Sequence, residues 1–401
     1  MKKIASLFVA ASLLVGCGGD DNKSNNKVVT EGSYAVQTRA ADYGSSQVAV
    51  GNILGDRTAT DGLLIKDKSD FAISTYNNYL YHIGKYFIDT IDKYDTTKGV
   101  DAAEWSYSTN YSGDASANTY KLVQQSETNG YLINYGSTKV LQVDPSASTY
   151  DDFVIEEIDL SVYNFPGDGS GNANTVPNMS DALIVNNHLF VAMQRLGSDY
   201  SYNQPYIAVI DLMTNEEVDT NPQQSGLKGI PLNSTNTFTL DEHNNSIYAA
   251  GRGDYGSDTG GLEKIDATTY AVTPLIGDTS FPELNDPDNN TYYHVRDVAV
   301  VSDQLAYATL SIEAGWPNPN TSEIAIINPS SGALSLLNTV TELDGKEISD
   351  INLDANNRLW LGIANSDNPG IYVIDTDTNT LSGDFIELEM PVKHIEFLTV
   401  Q

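Results

Sequence analysis

The run Ile371–Leu381 reads IYVIDTDTNTL. Its first four residues, β-branched or aromatic, fit a pleated and half-buried strand. Asp375 then opens a stretch of small polar residues before the chain turns apolar again. An aspartate at that place can accept hydrogen bonds from the backbone N–H groups of the turn it begins, so the run predicts two strands joined by an Asx turn. The same unit stands at Ile207–Val218 (IAVIDLMTNEEV), Leu262–Val272 (LEKIDATTYAV) and Ile324–Leu334 (IAIINPSSGAL). Weaker copies stand at Thr90–Val100 (TIDKYDTTKGV) and Val140–Tyr150 (VLQVDPSASTY). Its fixed points, Asp95, Asp144, Asp211, Asp266, Asn328 and Asp375, lie 49, 67, 55, 62 and 47 residues apart. These residues read as turn punctuation, not as chemistry.

A second unit, an apolar strand, a polar turn and another apolar strand, precedes the first. It appears as Phe71–His82 (FAISTYNNYLYH), Ala182–Met193 (ALIVNNHLFVAM), Phe238–Gly251 (FTLDEHNNSIYAAG), Val298–Leu310 (VAVVSDQLAYATL) and Ile351–Ala364 (INLDANNRLWLGIA). Two such units make one four-stranded sheet, and the spacing is near that of propeller blades. Six complete blades are predicted, over residues 69–110, 118–161, 179–222, 235–278, 294–341 and 347–390. Three strand-like segments within 33–67 and a lone strand, Val392–Val400, remain. Together they supply a seventh blade. The expected fold is therefore all-β: a seven-bladed β-propeller over 33–401, with blade one closed by N- and C-terminal strands. Such closure leaves no open sheet edge.

The repeat in IAVIDLMTNEEV and IYVIDTDTNTL resembles the YVTN-type (surface-antigen-like) β-propeller family. That resemblance spans roughly residues 70–390 and implies fold more than function. Some lipid-anchored propellers of this general kind pass ligands to TonB-dependent transporters in the outer membrane, which the resemblance offers as an analogy.

Ahead of the repeats, Met1-Lys2-Lys3, an apolar stretch from Ile4 to Val15, and Gly16-Cys17 form the pattern of a secretory signal peptide over residues 1–16. Leu14-Val15-Gly16-Cys17 resembles the lipobox of bacterial lipoproteins, which implies that Cys17 is acylated and becomes the new N-terminus. Gly18, where an Asp would resemble an inner-membrane retention signal, favours the outer membrane. Residues 17–32 are expected to form the lipidated cysteine and a flexible tether, being polar and without apolar periodicity. Cys17 is the only cysteine, so the mature chain is expected to stand without disulfides.

Acidic side chains number 54 against 21 basic ones, a formal charge of −33. Such a chain repels phosphate backbones, which excludes a nucleic-acid partner. Expected partners are an outer-membrane protein or a small-molecule ligand, with the membrane reached through the lipid.

In a propeller, the loops entering each inner strand and those joining the second and third strands form one rim, where ligands commonly bind. Aligned inner strands put Asp181, Asp297 and Asp350 at equivalent entrances, with Thr237 in that place in blade five. Three carboxylates at a channel mouth suit Ca²⁺, which prefers oxygen ligands; capping of neighbouring backbone N–H groups is the alternative. His294, Arg296, Lys346, Lys393 and His394 lie near the same entrances. Long inter-strand loops add Arg195, Tyr200, Tyr202, Arg252, Tyr255 and Trp316, residue types that anchor recognition surfaces. No nucleophile elbow, HExxH, P-loop or dinucleotide fingerprint stands at a suitable junction. The leading reading is a ligand- or partner-binding module. A metal-dependent lactonase- or lyase-like enzyme using the entrance carboxylates, and a scaffold of an envelope assembly, are the alternatives.

Overall fold

The computed structural model describes residues 32–399, apart from 255, 256, 258, 278, 290 and 314–319. The signal peptide, Cys17, the tether before Gly32, Tyr255 and Trp316 lie outside the described residues.

The described strands form seven antiparallel sheets around a central channel, with no α-helix among them. The predicted turn chemistry is visible. Asp95, Asp144, Asp211, Asp266, Asn328 and Asp375 each accept, through a side-chain oxygen, the N–H two residues further on, at 2.8–3.1 Å. The inner hairpins of blades four and five turn through Asn186-Asn187 and Asn244-Asn245. All four have φ between 49° and 65°. A two-residue hairpin turn needs that left-handed pair, and asparagine tolerates it better than most side chains. In blades four and seven the outermost strand is split into two short pieces, Glu216–Glu217 with Ile230–Pro231 and Thr380–Leu381 with Ile386–Glu387.

The ring closes as the sequence predicts. Gly32–Arg39 pairs antiparallel with Val392–Thr399, matching Val36 with Ile395 and Tyr34 with Phe397. Apolar clusters fill the seams between blades. One joins Trp360, Ile371 and Val373 of blade seven to Tyr34, Val36, Val392 and Ile395 of blade one.

The inner strands share a further feature. In six of the seven, one unpaired residue bulges near the strand's start: Lys393, Tyr120, Ser180, Phe238, Arg296 and Ser349. Blade two, whose inner strand is Phe71–Tyr76, pairs without one. A bulge re-aims the side chains beside it. Here it does so at one level around the end of the channel where the inner strands begin, called the mouth below.

Candidate functional site

The residues directly after the bulges form a ring: His394, Lys121, Asp181, Thr239, Asp297 and Asp350. The three aspartates are equivalent, as expected. In blade five the place belongs to Thr239 and not to Thr237, since Thr239 is the residue that directly follows the bulge at Phe238 and pairs with Ala250.

Each aspartate straps its blade to the next. Asp181 accepts the N–H of Leu240 at 2.8 Å, Asp297 that of Ile351 at 2.9 Å, and Asp350 that of Ile395 at 2.9 Å. Their second oxygens are engaged too. Asp181 takes Ala182 N and Lys121 Nζ, both at 2.7 Å, Asp297 takes Val298 N at 2.9 Å, and Asp350 takes His394 Nδ1 at 2.7 Å. Among the described residues no three His, Cys, Asp or Glu side chains converge as a metal would need. What the carboxylates do in this geometry is satisfy backbone donors buried between blades, groups that would otherwise be costly to bury.

His394 bridges Asp350 and Glu396, the latter at 3.0 Å through Nε2. Burial disfavours its cation, but the two carboxylates outweigh burial and hold the imidazole well above its usual range. Burial and then the Asp350 charge push the Asp297 carboxyl well above the usual carboxylate range. Both groups hold a proton more tightly folded than unfolded. Their stabilisation is complete below the unfolded values, ~6.5 for histidine and ~3.9 for aspartate, and is lost as pH rises through the folded ones. Urea unfolding is therefore expected to show stability falling from neutral pH upward. His394→Gln should flatten that fall; the same slope in the variant would show that His394 is not its source.

Over blades five and six, Arg252 and Arg296 grip one carboxylate. Arg252 Nη2 lies 2.6 and 2.7 Å from the two Glu313 oxygens, and Arg296 Nη2 lies 2.7 Å from Oε1. Burial works against the Glu313 charge, yet the two guanidiniums outweigh it and hold the carboxyl pKa below the usual range. His294 is buried beside them with Nδ1 2.8 Å from the Arg252 carbonyl, and burial lowers its basicity. The structure thus brings together Arg252, His294 and Arg296. Arg195 stands apart and is tied into its own loop, donating to the carbonyls of Tyr163 and Gln204 at 2.9 and 3.0 Å. Tyr202 and Lys346 are half-buried and line neither group.

The mouth also holds a cavity of about 490 Å³ over blades two to four. Its wall includes Asp70, Lys85, Tyr86, Asn118, Tyr120 and Tyr135, closed on the far side by the Asn174–Tyr200 region. Tyr200, 77% exposed, is the one predicted rim residue in this wall. Tyr120, a bulge residue, stacks on Tyr135 with ring centroids 4.7 Å apart and planes at 16°. Lys85 Nζ lies 3.5 Å from the centroid of the Tyr120 ring. Burial raises the pKa of both tyrosines, that of Tyr135 to about 12, so both rings stay neutral at physiological pH. Glu313, Tyr120, Tyr135 and Lys85 are the functional candidates that sequence reading missed. The signal nearest to hand was the aligned start of the inner strands, which puts Tyr120 one residue before the ring position of Lys121.

No protein-family model and no curated protein matches the sequence. Among solved structures, the chain is similar to a protein from Lactobacillus plantarum, at 15% identity and a TM-score of 0.57, covering 92% of this chain and all of that one. It is also similar to a puromycin hydrolase variant complexed with PGG, at 10% identity and a TM-score of 0.53, over 88% of this chain and 52% of the other. Both likenesses are of fold, and they agree with the seven-bladed propeller.

Proposed function

We propose that this propeller is a ligand-binding module and that the mouth cavity over blades two to four is where it takes up a small molecule. The observation that carries this reading is the cavity itself. Its volume falls within the ~300–1,000 Å³ of small-molecule sites, and its wall combines aromatic faces with a few polar groups. In the fuller reading, Cys17 carries acyl chains that hold the module at the outer membrane, in keeping with the lipobox-like LVGC. There it passes its ligand to a membrane-protein partner such as a TonB-dependent transporter, in keeping with the YVTN-type repeats.

The test is a pull-down of the lipidated protein from its native envelope, with small molecules and proteins both identified by mass spectrometry. Tyr120→Ala is expected to lose at least nine-tenths of the co-purifying small molecule while retaining its far-ultraviolet dichroism. Equal recovery with the folded variant would overturn the cavity as the site.

A further inference from the structure

We propose that the mouth cavity selects a flat, anionic small molecule: an aromatic or conjugated ring system carrying a carboxylate. This inference rests on the cavity being the ligand site and names the class of ligand it takes.

Charge is the first argument. The chain as a whole is strongly acidic, yet the blade one–two side of this cavity gathers cations. Lys85 and Lys393 each place Nζ 3.7 Å from the same Asp70 oxygen, so two ammonium groups share one carboxylate. Lys393 also donates to the Phe71 carbonyl at 2.7 Å. Arg39, whose guanidinium lies 4.5 Å from the Tyr43 ring, is close enough for both lysines to feel its charge. Asp89, near the wall, accepts the Asn118 N–H and the Ser116 hydroxyl, each at 2.9 Å, and Asp199, between Ser198 and Tyr200, accepts the Ser201 N–H at 3.0 Å. At the Asp70 carboxylate itself cations predominate, with Lys85 and Lys393 sharing it and Arg39 close by. Burial, then the charge of Lys85, lowers the basicity of Lys393 to about 7. A carboxylate entering here relieves a repulsion the free protein already carries. A neutral guest does not, and a cationic guest adds to it.

The second argument is shape and surface. The stacked Tyr120–Tyr135 pair gives the cavity a flat aromatic wall, and exposed Tyr86 and Tyr200 stand at its edges. Offset stacking on such rings rewards a planar guest. The Lys85 ammonium caps the face of Tyr120 that Tyr135 leaves uncovered, so a planar guest stacks on the remaining tyrosine faces and turns its carboxylate toward Lys85. Third, Asn118 lines the cavity with a buried side-chain oxygen that has no hydrogen-bond partner among the described residues. Such a group is costly to leave unpaired, and a rotation of the side chain toward the cavity lets its amide NH₂ meet a carboxylate.

The experiment is isothermal titration of the full mature chain with three probes: 2-naphthoate, 2-naphthylmethanol and 2-naphthylmethylammonium. Naphthoate is expected to bind at least tenfold more tightly than the alcohol, and the ammonium probe more weakly than either. Lys85→Met should cut naphthoate affinity at least tenfold and leave the alcohol within twofold. Lys85→Arg should retain the preference, which separates lost charge from lost fold. Tyr120→Ala should weaken naphthoate and alcohol alike. Alcohol binding as tight as naphthoate, lost in Tyr120→Ala, would overturn the anionic class and leave the cavity standing as a ligand site. The absence of any Tyr120-dependent binding among the probes would overturn the class altogether, while the envelope pull-down judges the site independently.

Discussion

A chain that stops at Pro391 is expected not to fold. Residues 392–399 form the inner strand of blade one, and their removal takes three buried aliphatic side chains, Val392, Ile395 and Leu398, out of the core. Each is worth roughly 2–5 kcal/mol by large-to-small substitution, so their sum alone rivals the ~5–15 kcal/mol that holds a typical domain together. The ladder to Gly32–Thr38 is lost with them. Asp350 loses the N–H of Ile395 and the imidazole of His394, which leaves a buried carboxylate uncompensated. The ring would also open onto unpaired strand edges, which invite association between chains. Thermal unfolding followed by circular dichroism, with gel filtration, checks this. A monomer with a cooperative transition within about 5 °C of the full chain would show that the last strand is dispensable.

Trp360→Ala is expected to cost about 3–5 kcal/mol in urea unfolding. Trp360 is fully buried at the seam between blades seven and one, 4.9 Å from the ring of Tyr34 and 5.4 Å from that of Phe397. Its Nε1 donates to Asp354 Oδ2 at 3.0 Å, and the same oxygen takes Arg358 Nε at 2.6 Å. Arg358 in turn reaches across the seam to the Ile53 carbonyl at 2.7 Å. Truncation therefore empties a cavity and loosens the polar strap that crosses the seam. Trp360→Phe keeps most of the packing and drops the hydrogen bond, so its cost should lie near 1–2 kcal/mol. A loss below about 1 kcal/mol for the alanine variant would mean that the neighbouring rings collapse into the space.

The blade count was legible because turn chemistry is local. Each Asx accepts an N–H only two residues away, so the spacing of Asp211, Asp266, Asn328 and Asp375 exposes the repeat without any knowledge of packing. The closing strand was legible by remainder, since three strand-like segments at one end and a lone strand at the other were left to make a blade. Thr239 was not, because no aspartate marks the ring position in blade five, and its place follows only from its pairing with Ala250 across the hairpin. The mouth cavity was the least visible of all. Its wall draws on Asp70, on Lys85 and Tyr86, on Asn118 and Tyr120, on Tyr135, and on residues up to Tyr200. These come from three blades and six separate stretches of chain. Their meeting depends on how sheets fan around an axis, which no single stretch records. The strap carboxylates show the converse: Asp181, Asp297 and Asp350 were easy to single out, and their geometry answers to backbone donors of the next blade.

The way the ring closes also decides at which face the first and last described strands end. Gly32 pairs with Thr399 at the end of the inner strand farthest from the mouth, and Thr399 N bonds the Asn77 carbonyl in a turn on that same far side. The chain therefore enters and leaves the ring through its back. Anything fastened ahead of Gly32 is thus joined to the face of the ring opposite the tyrosine-lined cavity.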